Sequence, residues 1–305
     1  AYVAGTRYKL GDYTPYLYKT KDYGKTWTLI TNGIPTDHFT RVVRADQKRP
    51  GLLYAGTETG MYLSFDDGAS WSPFQLNLPI VPITDLTIKD DNLIAATQGR
   101  SFWLIDDLTP LHQLSEEVAK SDYYLFRPMP SYRMGAGGRW RPASSNAYLT
   151  VGQNHPGGAM INFYFKEKPA EDKVVKLSFY EPDGDLIKEY STKAKDRGHK
   201  MEEVVAGGNT FVWDMRYEDA KSFEGMIMWS GSMNGPLAVP GKFTVRLTVE
   251  DDYQEQPMEI KIDPRSESSL EDLQAQFDFT KAIVDKITEA HETIIEIRDI
   301  RAQIK

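Results

Sequence analysis

An eight-residue motif occurs twice in the sequence and constrains the fold more than any other feature. Residues 20–27 read Thr-Lys-Asp-Tyr-Gly-Lys-Thr-Trp, and residues 64–71 read Ser-Phe-Asp-Asp-Gly-Ala-Ser-Trp. Both fit the pattern Ser/Thr-x-Asp-x-Gly-x-Thr/Ser-Trp, and their aspartates lie 44 residues apart. The four-stranded blades of a β-propeller repeat every 40–45 residues or so, roughly the same period. The spacing therefore predicts successive blades, each carrying one copy of the motif.

The residue types of the motif are those of a tight turn. An aspartate side chain accepts hydrogen bonds from backbone N–H groups two or three residues further on, and glycine adopts positive φ without steric cost. The tryptophan begins the next strand and covers the hairpin with a large apolar face. We therefore interpret these side chains as structural turn residues rather than catalytic acids or metal ligands. The six residues assigned to the turns are Asp22, Gly24, Trp27, Asp66, Gly68 and Trp71.

The flanking segments repeat as well. Residues 52–57 and 93–97 look like equivalent strands of successive blades, and residues 102–105 form the last apolar strand of the series. Residues 1–111 are thus expected to hold about two blades. Two blades cannot close a propeller, because a sheet edge and an apolar face would remain exposed. The remaining blades are expected from another chain or from a missing N-terminal part of the same protein, and the C-terminus is also expected to be cut short.

The two motifs, together with the run Thr-Gln-Gly-Arg-Ser-Phe-Trp-Leu-Ile-Asp-Asp-Leu-Thr-Pro-Leu at 97–111, carry a family resemblance. The chain resembles the Asp-box (BNR-repeat) propellers, and in particular the bacterial sortilin/VPS10-like proteins often labelled glycosyl hydrolase-like. The resemblance implies one or two propellers followed by a β-sandwich. It also implies a second, antiparallel helix beyond the C-terminal one.

A second all-β domain is expected at 148–264, after a connector at 112–147 that is rich in Pro and Gly and holds a short helix near 114–119. Segments 207–216 and 239–247 are similar to the Ig-like domain of flagellar hook-capping proteins, which implies a sandwich of that type. Seven strands are expected, at 148–151, 159–165, 174–180, 186–191, 209–215, 242–249 and 257–262.

The last segment, 265–305, is expected to be helical. Ser266 to Ser269 offer an N-cap, and acidic residues follow in the first turn. Apolar residues then recur with a 4-3 alternation that Arg301 interrupts, which favours packing against a partner helix. The stripe comprises Ile283, Ile287, Ala290, Ile294, Ile297 and Ile304. The predicted fold is therefore all-β, with a partial Asp-box propeller, an Ig-like sandwich and a C-terminal α-helix.

Composition excludes several classes of site. The absence of cysteine excludes disulfides, thiol nucleophiles and Cys-ligated zinc. A net charge of −8 without a basic run argues against nucleic acid as a partner. No apolar stretch approaches the ~20 residues that span a bilayer. The five histidines lack metal-ligand spacing, so we expect no metal and no cofactor.

No catalytic residues are assigned. The adjacent pairs Asp66-Asp67, Asp90-Asp91 and Asp106-Asp107 fall in turns, where neighbouring side chains point apart rather than across a cleft. The arginines of the blades lack the context of a sialidase; they are Arg41, Arg44 and Arg100. In the xyloglucanases that the motif also resembles, the catalytic acids lie in propeller segments that this chain does not contain.

Candidate ligand-binding residues are Arg139, Trp140 and Arg141, with Trp229 in a second Gly-containing stretch. An aromatic ring flanked by arginines can stack on sugars or peptides. The favoured alternative is a tryptophan that plugs a domain junction while its arginines stay solvated.

The leading functional hypothesis is a non-enzymatic, extracytoplasmic binding or scaffold module of a larger bacterial sortilin-like propeller protein. It would bind protein or glycan within a cell-surface or outer-membrane assembly and be periplasmic, surface-exposed or secreted. One alternative is the C-terminal part of a glycoside hydrolase whose catalytic carboxylates lie on missing blades. Another is a structural carrier whose sandwich docks to a secretion or anchoring system.

Overall fold

The computed structural model describes residues 1–134, 155–227 and 229–304. The chain divides into two compact units, the first at residues 1–112 and the second beginning at residue 113. The strand expected at 148–151 and the candidate residues Arg139, Trp140 and Arg141 lie outside the described residues. The predicted class, all-β with a C-terminal helix, is confirmed.

The first unit consists of three antiparallel sheets. Each is a meander in which strands adjacent in sequence pair with one another. The first sheet comprises β1 (Tyr2–Arg7), β2 (Asp12–Lys19) and β3 (Thr28–Leu29). The second comprises β4 (Thr40–Ala45), β5 (Leu53–Thr57), β6 (Met61–Ser64) and β7 (Ser72–Pro73). The third comprises β8 (Ile83–Lys89), β9 (Asn92–Thr97) and β10 (Phe102–Ile105).

The repeated motif aligns these sheets with one another. It joins β2 to β3 in the first sheet and β6 to β7 in the second. Strands β1 to β3 therefore correspond to the last three strands of the four-stranded sheet. By their order along the chain, strands β8 to β10 correspond to the first three strands of the four-stranded sheet. One sheet is thus complete, and each of its neighbours has three strands.

Two apolar clusters hold the sheets of the first unit together. One joins the first and second sheets through side chains that include Leu17, Leu53 and Trp71, and the other joins the second and third sheets through Val42 and Ile83. Strand β5 is buried along its whole length because it contributes to both clusters. Burial on both faces explains why its sequence, Leu-Tyr-Ala-Gly-Thr, lacks the alternation of a half-exposed strand.

The second unit contains two sheets that share one apolar core. The strands are β11 (Tyr123–Leu125), β12 (Ser131–Arg133), β13 (Ala159–Phe165), β14 (Val175–Tyr180), β15 (Leu186–Ser191), β16 (Gly207–Trp213), β17 (Gly241–Val249) and β18 (Asp252–Ile262). One sheet has the order β11-β13-β16 and the other β12-β18-β17-β14-β15. Phe179 and Trp213 stack at the centre of the core with ring centroids 4.3 Å apart.

Strands β11 and β12 were not expected from the sequence. Both fall within the predicted connector, where β11 pairs with β13 and β12 runs parallel to β18. Each has three residues and is too short to show an alternating pattern, and the prolines at 128 and 130 obscure the signal further. The sandwich therefore takes two of its strands from this segment.

Three α-helices are present in the described part of the chain, namely α1 (Thr109–Gln113), α2 (Glu116–Lys120) and α3 (Leu270–Ile304). None of them is long and apolar enough to cross a membrane. Helix α3 begins with a reciprocal cap in which the backbone N–H of Asp272 donates to Ser269 Oγ at 3.1 Å and the Ser269 N–H donates to Asp272 Oδ2 at 2.9 Å.

Helix α3 packs through a face that only partly overlaps the predicted apolar stripe. Val284 is its buried residue, and the Thr288 hydroxyl accepts a 3.2 Å hydrogen bond from the backbone N–H of Lys221. His291 lies edge-on to the ring of Phe223 on the same side. Within the stripe, Ile283, Ala290, Ile297 and Ile304 are exposed, while Ile287 and Ile294 are half-buried.

Candidate functional site

The first motif turn is closed by hydrogen bonds to Asp22. Its Oδ1 accepts from the backbone N–H of Thr26 at 2.9 Å, and its Oδ2 accepts from the Thr26 hydroxyl at 2.6 Å. Thr20 Oγ1 donates to Asp22 Oδ1 at 2.8 Å and accepts from the backbone N–H of Gly24 at 2.9 Å. The two bonds from Thr26 are the main cause that lowers the pKa of Asp22 to about 2. Asp22 is thus an ionised carboxylate whose oxygens are occupied within their own turn.

The second turn repeats this set of bonds. Asp66 Oδ1 accepts from the backbone N–H of Ser70 at 2.8 Å, and Oδ2 accepts from the Ser70 hydroxyl. Ser64 Oγ donates to Asp66 Oδ1 at 2.7 Å and accepts from the backbone N–H of Gly68 at 2.9 Å. The two copies therefore fold into the same local structure, as their common residue pattern requires.

Both turns place two successive residues at positive φ. Gly24 and Gly68 each have φ of 86°, and the preceding Tyr23 and Asp67 have φ of 60° and 61°. The residue pattern of the motif predicts positive φ at the glycines only. A left-handed tyrosine or aspartate costs conformational energy, which the shared hydrogen bonds of the turn offset.

The second turn also docks onto the first sheet. The buried indole of Trp71 donates from Nε1 to the backbone carbonyl of Ile30 at 2.7 Å, and its own N–H donates to the carbonyl of Asn32 at 2.9 Å. The Asn32 amide returns a 3.1 Å bond to the carbonyl of Ala69. Gly33 lies so close to the backbone of Trp71 that no side chain fits there.

A charged contact completes this interface. Asp67, the residue between the two fixed positions of the second motif, accepts hydrogen bonds from Lys19 Nζ and from the Tyr2 hydroxyl of the first sheet. Partial desolvation opposes ionisation of Asp67, but the bonds from Lys19 and Tyr2 outweigh it and lower its pKa. Burial and the Asp67 carboxylate raise the pKa of Tyr2 to about 12. These partners could not be found from local sequence patterns, because they lie 48 and 65 residues from Asp67.

The first turn presents the corresponding side chains to solvent. Trp27, the counterpart of Trp71, is 45% exposed, whereas Trp71 is 4% exposed. Tyr23, the counterpart of Asp67, is fully exposed, and so is much of Leu29 in β3. The second copy of the motif therefore docks onto the preceding sheet, whereas the first copy leaves the equivalent side chains exposed. We call these exposed side chains the first-turn surface (Tyr23, Trp27, Leu29).

Asp46 and His112 form a buried polar contact near the end of the first unit. His112 Nε2 lies 2.9 Å from Asp46 Oδ2, and the Asp46 side chain is only 1% exposed. Asp46 Oδ1 also accepts from the backbone N–H groups of Lys48 and Arg49, at 2.8 and 2.9 Å. Desolvation of Asp46 opposes its ionisation, but these bonds prevail and lower its pKa. The contact ties α1 to the loop after β4.

Members of the adjacent aspartate pairs bind lysines or the backbone. Asp90 pairs with Lys89 at 2.6 Å, and Asp91 pairs with Lys48 at 2.7 Å. Asp107 accepts from the backbone N–H of Thr109 at 2.8 Å, in a turn that leads into α1. No group of three or more acidic or histidine side chains could hold a metal ion in residues 1–134, 155–227 and 229–304.

The remaining candidate for ligand binding, Trp229, is almost fully exposed in a turn of the second unit. Arg139, Trp140 and Arg141 fall outside the described residues, so their arrangement relative to Trp229 remains an expectation from the sequence. Isolated exposed aromatics are common on protein surfaces, and Trp229 alone does not define a site.

No family model matches this sequence, and no curated protein matches it. Among solved structures, the chain is similar to the extracellular domain of a putative one-component system from B. thetaiotaomicron, with 9% identity and a TM-score of 0.26. The match covers 82% of this chain but only 29% of that chain. Likeness at this level carries no functional argument, so a function has to be inferred from the contacts of the chain itself.

Proposed function

We propose that the first unit is part of an Asp-box β-propeller whose preceding blade docks on the first-turn surface. The chain would then be the C-terminal, non-enzymatic part of a larger extracytoplasmic binding protein. The observation that carries the proposal is the contrast between Trp71, which is buried on the preceding sheet, and its counterpart Trp27, which is exposed.

Energetics supports a partner for Trp27. Removing the exposed part of an indole from water stabilises a protein by about 2 kcal/mol, and a hydrogen bond like that of Trp71 to Ile30 adds about 1 kcal/mol. Leu29 and Tyr23, close to it in the sequence, add further exposed apolar area. The second copy of the same motif docks onto the sheet that precedes it. The first-turn surface therefore favours a preceding blade as its partner.

The far edge of the unit supports the same proposal. Among the described residues, strand β10 is an outer strand of the third sheet, and it exposes Phe102 and Leu104. The corresponding strand of the complete sheet, β6, is covered by β7. An outer strand with unpaired backbone groups and exposed apolar residues pairs readily with another strand. A further strand beside β10 would complete this sheet in the way that β7 completes the second.

The binding or scaffold role rests on the resemblance of the repeat to sortilin-like propellers and on the local use of the motif carboxylates. Both oxygens of Asp22 and of Asp66 accept bonds inside their turns, which leaves them poorly suited to proton transfer. We place the protein in an extracytoplasmic compartment, at the cell surface or secreted, on the basis of that resemblance.

Native and denaturing mass spectrometry of the protein from its source tests the proposal. We expect these residues to be found with further copies of the motif, either in the same polypeptide or in a companion that stays bound under native conditions. A lone, monodisperse 34.7 kDa chain that melts cooperatively would overturn it.

A further inference from the structure

The second unit contains a cavity of about 770 Å³ between helix α3 and the end of the five-stranded sheet. Arg133 at the end of β12 and Ile262 at the end of β18 line one side, and Arg216 and Leu237 line another. Helix α3 covers it with residues that include Gln276 and Phe277. Small-molecule sites occupy clefts of roughly 300–1,000 Å³, so the cavity has the size of a ligand pocket.

The cavity has a positive charge that contrasts with the rest of the chain. Three arginines line it (Arg133, Arg216 and Arg265) together with one carboxylate, Asp263. Asp263 is bound by Arg265 through two bonds of 2.9 and 2.7 Å, which neutralises that arginine. Two positive charges therefore remain in a chain whose net charge is −8.

Arg133 and Arg216 lack a carboxylate partner among the described residues. In this part of the chain, Arg133 Nη2 donates to Gln276 Oε1 at 2.9 Å and Arg216 Nη1 donates to the backbone carbonyl of Gly235 at 2.8 Å. The Nε of Arg133 is buried and has no hydrogen-bond partner within residues 1–134, 155–227 and 229–304. A guanidinium carries five N–H donors, so most of the donors of this pair remain available.

The two guanidinium groups also repel each other. Burial and the nearby charge of Arg216 lower the pKa of Arg133. The segment at 135–154, which follows Arg133 in the chain, contains no Asp or Glu and therefore has no carboxylate with which to neutralise the pair. Two like charges beside a cavity with an unsatisfied donor are costly unless an anion compensates them.

We infer that this cavity binds a small organic carboxylate. The anionic group of the ligand is held between Arg133 and Arg216. Its apolar body lies along Leu237, Ile262, Leu273 and Phe277. Guanidinium groups match the planar geometry of carboxylates and bind them through paired hydrogen bonds. The apolar side chains of the wall favour a ligand with a hydrocarbon or aromatic part over a bare inorganic anion. This site is independent of the propeller proposal, because all its residues belong to the second unit.

Fluorescence titration of the full chain with the anionic probe 1-anilinonaphthalene-8-sulfonate tests the inference, its sulfonate standing for the carboxylate. We expect saturable binding that millimolar 4-phenylbutyrate displaces and 4-phenylbutanol does not. Arg133→Met and Arg216→Met should each weaken the binding of the probe by about tenfold, because each variant loses one charge-assisted contact. N-phenyl-1-naphthylamine, which lacks the sulfonate, should bind all forms alike.

Arg127→Met is the matched control, since Arg127 is an exposed arginine of the same unit. It should leave the affinity for the anionic probe unchanged, and circular dichroism should show that all variants are folded. Equal affinity of wild type and both cavity variants would overturn the inference. So would equal displacement by phenylbutyrate and phenylbutanol, because the probe would then report apolar surface rather than an anion site.

Discussion

The indole nitrogen of Trp71 donates a 2.7 Å hydrogen bond to the backbone carbonyl of Ile30, 41 residues earlier in the chain. This bond joins the second motif turn to the end of the outer strand of the first sheet, and the ring is buried almost completely. The motif thus has two separable parts. A local hydrogen-bond set shapes the turn, and a tryptophan attaches the turn to the preceding sheet.

The two tryptophans should differ sharply in their effect on stability. Trp71→Phe removes a buried hydrogen bond and leaves the Ile30 carbonyl without that donor, so we expect a loss of about 2 kcal/mol in the free energy of unfolding. Trp27→Phe changes a side chain that is 45% exposed and should cost less than about 0.5 kcal/mol in the isolated chain. Urea denaturation of both variants measures the difference, and equal losses would contradict the structural contrast.

The motif glycines provide a second matched pair. Gly24→Ala and Gly68→Ala both introduce a side chain at φ of 86° and share a strain of about 1 kcal/mol. At Gly68 the new methyl group would also lie 2.6 Å from Ile30 Cδ1, whereas at Gly24 its nearest neighbour is Trp27 at 3.7 Å. We expect Gly68→Ala to lower the melting temperature of the first unit distinctly more than Gly24→Ala. The reverse order would show that the second turn is not tightly docked.

Asp22 should make the first unit sensitive to acid. Its pKa is about 2 in the folded chain, below the ordinary value near 3.9, so its contribution to stability is complete above about pH 4. That contribution is lost as the pH falls from about 4 towards 2. Melting temperatures of wild type and Asp22→Asn, compared across this range, should converge on acidification. A constant difference between them would contradict the lowered pKa.

Helix α3 should be sensitive to substitution on its packed face and tolerant on its exposed face. Val284→Ala removes buried methyl groups and should destabilise the second unit by about 1 kcal/mol or more. Ile283→Ala, one residue earlier on the exposed stripe, should change the free energy of unfolding by less than about 0.5 kcal/mol. Thermal unfolding of both variants distinguishes the faces. A larger loss for Ile283→Ala would indicate that the stripe is the packed face.

Local features of the chain can be predicted from its sequence, and most contacts distant in sequence cannot. The strand predicted at 159–165 matches Ala159–Phe165, and the one at 186–191 matches Leu186–Ser191, because each has clear apolar patterning and turn signals at its ends. The helix at 265–305 is predictable from its caps and period, and Ser269 supplies the cap. These signals lie within a few residues of the structure that they specify.

Pairings over long distances leave no such pattern. Neither the bond of Lys19 to Asp67 nor the contact of Asp46 with His112 can be read from spacing, because each joins side chains that only the packed unit brings together. The buried face of α3 escapes prediction because Val284 lies outside the apolar stripe, and four of the six members of that stripe are exposed. The cavity of the second unit escapes it because its arginines come from separate segments.

Hydroxyl-radical footprinting of Trp27 and Trp71 tests the central claim most directly. The measurement compares their oxidation rates in the isolated chain and in the protein from its native source. If a further blade docks on the first-turn surface, Trp71 is protected in both samples, and Trp27 is oxidised rapidly in the isolated chain but protected in the native protein. Equal, rapid oxidation of Trp27 in both samples would contradict the claim.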